Sequence, residues 1–107
     1  MKRDFSDVLT GLAGQRLVDE KGDDLTLGSV SVTALLAQYQ DEQALSGDEK
    51  FRRYQLAERI AKLDVQEVSA EEVALLKRLI GKGYGPMLVG PAYVALERDP
   101  TAEISAG

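Results

Sequence analysis

The chain has 107 residues, 44% of them apolar and 29% charged, with a net charge of −5. That suits one globular domain around a single core. With no cysteine or histidine in the sequence, disulfides, thiolate chemistry, structural zinc and the commonest general base are removed, so no metal or cofactor is expected. The acidic balance argues against nucleic acid as a partner, and no apolar run approaches the roughly 20 residues of a membrane span.

The charge is uneven. Residues 1–49 carry a net −6 and residues 50–98 a net +3. Either the two halves pack against each other, or the molecule presents a dipolar surface to a second copy or an acidic partner.

The N-terminal MKRDFSD has basic residues without an apolar stretch behind them, and does not read as a secretory signal. In FSDVLTGLAGQRLV, the pair Ala13-Gly14 separates Leu9 and Leu12 from Leu17 and Val18. Glycine can supply the positive φ of a tight turn, which predicts a hairpin over about 7–12 and 15–18. A helix over 4–12 is the alternative, because Phe5, Val8, Leu9 and Leu12 also fit a 3.6-residue period. No internal repeat stands out. The charged DEKGDD at 19–24 misses calcium-loop spacing, since glycine falls fourth rather than sixth, and reads as a solvated turn.

Thr26 can cap a helix over 27–39 with Leu27, Val30, Ala34 and Leu35 on one stripe, though its β-branched residues also allow a strand at 25–32. Residues 40–46 form a polar connector. Ser46/Glu49 and Ser69/Glu72 fit the S-x-x-E capping box and open helices over about 47–63 and 70–81. Their inward residues are Phe51, Leu56, Ile60 and Leu63 in the first, and Val73, Leu76, Leu79 and Ile80 in the second.

In GKGYGPMLVGPAYVALE (81–97), neither a P-loop nor a dinucleotide fingerprint has its glycines in place. Gly81 or Gly83 is expected to end the preceding helix in a left-handed conformation, and Pro86 to open the next at its first position. Pro91 should kink that helix or break it. The stretch from Pro86 to Leu96 has no polar face. It therefore belongs at the centre of the core, with Leu88, Tyr93 and Leu96 buried, or half-covered by a partner. The resulting expectation is an α+β fold, mostly α: an N-terminal β-hairpin followed by a compact bundle of about four short helices, in one domain over 1–97 with a flexible tail at 98–107.

DFSDVLTGLAG…DDLTLGSVSVTALLA and EEVALLKRLIGKGYGPMLVGPAYVALE resemble small proteins of tailed bacteriophages and prophages. The resemblance spans most of residues 4–97 and rests on structural motifs, with no catalytic residues to carry over. It implies a non-enzymatic role through protein contacts, in tail or virion assembly, in the bacterial cytoplasm or the virion. The alternative is an acidic inhibitor of a host nucleic-acid-binding protein. The expected partner is a phage or host protein, or a second copy of the chain, and the candidate contact residues are Met87, Leu88, Tyr93, Arg52 and Arg53.

Overall fold

The structure, a computed structural model, describes residues 1–62 and 64–99. Four helices carry the α+β, mostly α fold: α1 (Leu27–Leu36), α2 (Gly47–Lys62), α3 (Ala70–Gly83) and α4 (Pro86–Glu97). A short 3-10 turn at Gln40–Glu42 lies between α1 and α2. α1 is the hub, touching all three other helices.

Local capping sets where these helices begin. The Thr26 hydroxyl accepts the Ser29 N–H at 3.0 Å, and Ser29 Oγ accepts the Thr26 N–H at 3.0 Å. Ser69 and Glu72 make the same reciprocal pair at 3.1 and 2.9 Å, and the Ser46 hydroxyl takes the Glu49 N–H at 3.1 Å. Each bond satisfies a donor that a helix start leaves orphaned. α1 stops earlier than expected, at Leu36. The Tyr39 hydroxyl donates to the Ala34 carbonyl at 2.7 Å, taking an acceptor that a longer helix would use.

The core joins Leu27, Val30, Ala34 and Leu35 of α1 to Val73, Leu76, Leu79 and Ile80 of α3, as their spacing predicts. On α2 the expectation needs correction. Leu56 and Ile60 are buried, but Phe51 is exposed and Arg53 occupies the inward position. Phe51 is five residues before Leu56, which at about 100° per residue turns it away from the stripe, whereas Arg53 at three residues stays on it. Leu63 lies outside the described residues, as does the expected tail from 100 onward.

The N-terminal segment reverses at Gly14, whose φ is +80°, and Thr10 bridges Arg16 antiparallel across the turn. A repeat that the sequence reading missed organises this region. The N–H of Leu17 donates to the carbonyl of Leu9, that of Leu25 to Leu17, and that of Leu9 to Leu25, at 2.8–2.9 Å. Three leucines at eight-residue intervals thus close a ring of backbone bonds. Gly22, at +88°, turns the second excursion as Gly14 turns the first. The Asp19 carboxylate accepts the Lys21 N–H at 2.8 Å, which makes residues 19–24 a self-bonded turn.

A second strand pairing was also unforeseen. Lys2–Asp4 (β1) runs antiparallel to Val65–Glu67 (β2), with Arg3 opposite Gln66 and both buried. Arg3 Nε donates to the Leu96 carbonyl and Nη1 to the Lys2 carbonyl at 2.7 Å, tying β1 to the end of α4.

Neither Gly81 nor Gly83 has a positive φ; α3 runs through both and ends at Tyr84 in extended conformation. At Gly81 the lack of a side chain serves close approach instead. A Cβ on Gly81 would stand 2.9 Å from the Tyr93 hydroxyl. Helix α4 continues from Pro86 to Glu97 with Pro91 inside it, so no break occurs there.

Candidate functional site

Two places on the surface hold the sequence-predicted contact residues. The first is the outward side of α4. Its inward side buries Ala92, Ala95 and Leu96 and half-buries Leu88, Val89 and Tyr93. Met87 and Val94 are 71% and 55% exposed, and Gly90 is exposed between them. Spacings of three, four and seven residues put these positions on one side of the helix. α4 is thus neither central nor peripheral, with one face in the core and an apolar face open.

Tyr93 fastens α4 to α3. Its hydroxyl donates to the Lys77 carbonyl at 2.5 Å, and Lys77 Nζ lies 5.6 Å from the ring centroid while pairing with Glu97 at 2.9 Å. Of the three α4 candidates, Met87 is the one displayed; Leu88 and Tyr93 turn mainly inward.

The second place is the junction of the 38–45 connector with α2 and α3. Arg53, proposed as a surface contact, is 3% exposed and holds both Glu42 oxygens, at 2.8 and 2.7 Å. It is an internal fastening, not a partner contact. Lys82 also reaches Glu42 at 3.4 Å and Asp41 at 3.0 Å, and Arg78 reaches Glu42 at 3.7 Å. Here the acidic half of the chain meets the basic half within one molecule. The hydrogen bonds from Arg53 hold the Glu42 carboxyl at about 2, against the opposing effect of burial, with Lys82 adding to the lowering. Burial pushes the nearby Tyr39 phenol up. Its ring carries Lys82 Nζ at 5.4 Å from the centroid, and its hydroxyl also donates to the Leu79 carbonyl at 3.3 Å.

Arg52 remains outward and pairs with Glu49 at 3.5 Å. It lines a shallow groove between α2 and α3 that also holds Arg59, Glu72 and Arg78. There Arg59 bonds Glu72 at 2.8 Å and the Glu67 carbonyl at 2.9 Å. Burial works against the Glu72 carboxylate, but the bonds from Arg59 and Ser69 outweigh it and leave its pKa lowered.

Beside the Arg53–Glu42 pair opens a cleft of about 420 Å3 between the end of α1, the connector and the first half of α2. Leu35, Leu36, Leu45, Tyr39 and Tyr54 give it apolar walls, and Lys50 is exposed in its lining. Sequence reasoning missed Glu42, Tyr39 and Lys50; the −6 and +3 halves were the only signal pointing towards this junction. Among the described residues no acidic group of three or more is placed to hold a metal ion, and no helix is long and apolar enough to cross a membrane. No family model, curated protein or solved structure matches the chain.

Proposed function

We propose that the chain acts through protein–protein contact, as a non-enzymatic phage or prophage protein of the tail- or virion-assembly kind, with the outward side of α4 as its contact surface. The observation that carries this is the pair Met87 and Val94, both more than half exposed on a helix that bears no charge before Glu97. Water contact with that face is unfavourable, and cover by an apolar partner surface removes it. The phage setting comes from the sequence resemblance. The ion pairs that join Glu42 to Arg53 and Arg59 to Glu72 support a contact role over a catalytic one, because these groups are held by one another.

A photoreactive residue placed at 87 or 94 tests this in a bacterium carrying the phage. It should crosslink to a tail or virion protein, or to a second copy of the chain, while the same residue at exposed Glu71 should not. Crosslinking to a host nucleic-acid-binding protein would favour the acidic-inhibitor reading. Equal yields from all three positions would remove α4 as the contact surface.

A further inference from the structure

The cleft beside Arg53 combines three features that the fold itself leaves unused. Its volume of about 420 Å3 falls within the range of roughly 300–1,000 Å3 typical of ligand sites. Leu36 at the end of α1 and Tyr54 on α2, both in its lining, are each more than half exposed. Its charged lining residues are Glu42, Lys50 and Arg53. Glu42 and Arg53 neutralise each other through two hydrogen bonds, so the surplus charge belongs to Lys50.

We propose that this cleft docks a segment of a partner protein that carries a bulky apolar side chain next to a carboxylate, the apolar group lying between Leu36 and Tyr54 and the carboxylate at Lys50. Charge complementarity selects the acid over a base. The orientation follows from the two helix ends that meet here. α2 begins at Gly47, and the positive end of its dipole lies on the Lys50 side. α1 ends at Leu36, and the negative end of its dipole disfavours the carboxylate there, which leaves that end to the apolar part of the segment. Of the two acids in the first turn of α2, Glu49 turns to Arg52, and Asp48 is not among the cleft residues. Arg53 and Glu42 line the cleft already joined by two hydrogen bonds, so a guest at Lys50 does not have to break that ion pair.

This docking does not depend on the outward face of α4, and the test keeps them apart. A random peptide library is panned on the intact chain, and the selected sequence is made as a synthetic peptide. The proposal expects a consensus that places Leu, Phe or a similar residue beside Asp or Glu. Titration of that peptide should move the backbone amide NMR signals of Leu36, Ala37, Lys50 and Tyr54. Lys50→Glu should weaken binding by about fivefold or more, the size of a reversed surface charge pair. Tyr54→Ala should weaken it too, and Met87→Asp should leave it unchanged. Both cleft residues are exposed, so these variants should fold. A basic or purely polar consensus, no consensus, signal changes confined to another face, or full affinity in Lys50→Glu would each overturn the proposal.

Discussion

Helices α3 and α4 are joined by only Tyr84 and Gly85, yet they use their outward faces in opposite ways. α3 buries Val73, Leu76, Leu79 and Ile80 and turns Arg78 and Lys82 outward, where they hold Glu42 and Asp41 of the connector. Both of its faces are tied into the fold. α4 buries Ala92, Ala95 and Leu96 but leaves Met87 and Val94 in water. A helix with an apolar and a charged side is explained by its own domain. A helix apolar on both sides has one side that its own domain does not explain, and that side is where a function by contact is to be sought.

The comparison breaks first if the two inner faces are not equivalent. Leu79→Ala and Leu96→Ala each remove a fully buried side chain. Each should cost about 2–5 kcal/mol. Val94→Ala should cost under about 0.5 kcal/mol. Chemical denaturation of the three variants measures this directly, and a cost for Val94→Ala equal to the other two would place that face in the core.

The connector that the outer face of α3 helps to hold gives the next largest effect. Glu42→Gln leaves the buried Arg53 guanidinium without its counter-charge and should cost about 3 kcal/mol. The pH dependence has a definite sign. The folded carboxyl titrates at about 2 and the unfolded one at 4.5. Glu42 therefore contributes fully above pH 4.5, and its contribution is lost as pH falls through 2. The stability gap between wild type and Glu42→Gln should accordingly be constant near neutrality and close below pH 4.5. A gap that persists in acid would mean that shape, not charge, holds the connector.

How much of this was legible depended on the reach of each interaction. The capping pairs join residues three apart, so Thr26, Ser46 and Ser69 marked three helix starts correctly. The stripes of α1 and α3 were equally plain, because side-chain period alone encodes them. The pairing of Lys2–Asp4 with Val65–Glu67 was not, since three residues are too few to show alternation and the partners lie far apart in the chain. The leucine ring is made of backbone bonds, which any side chain permits. Only its eight-residue spacing and the two left-handed glycines mark it. Arg53 was placed on the surface by its charge; its burial depends on Glu42, eleven residues earlier in a connector without pattern. At the candidate surface, Met87 was recognised as apolar, but which side of α4 faces outward required the packing of α3.

Pro91 offers a smaller effect. It sits within α4, where its nitrogen cannot donate to the Met87 carbonyl and its ring crowds that group. Pro91→Ala restores the bond but frees the unfolded chain, and the balance should be a gain of roughly 1–2 kcal/mol. A loss of stability on denaturation would show that the ring itself packs against the core.

The smallest effect on stability carries the sharpest test of the open face. Met87→Asp puts an acid in the first turn of α4, and Val94→Lys puts a base near its last turn, so the helix dipole favours both. Neither side chain fills the core, because both residues are exposed in the native fold. Each variant should therefore melt within about 0.5 kcal/mol of wild type when dilute. If a second copy covers the face, wild-type melting should rise with protein concentration, and the rise should vanish in both variants. If a different protein covers it, melting should be independent of concentration in all three, while crosslinking through position 94 should be lost in Met87→Asp. A large destabilisation of the dilute monomer by either charge would contradict the open face altogether, because a charge at an exposed position has water to solvate it.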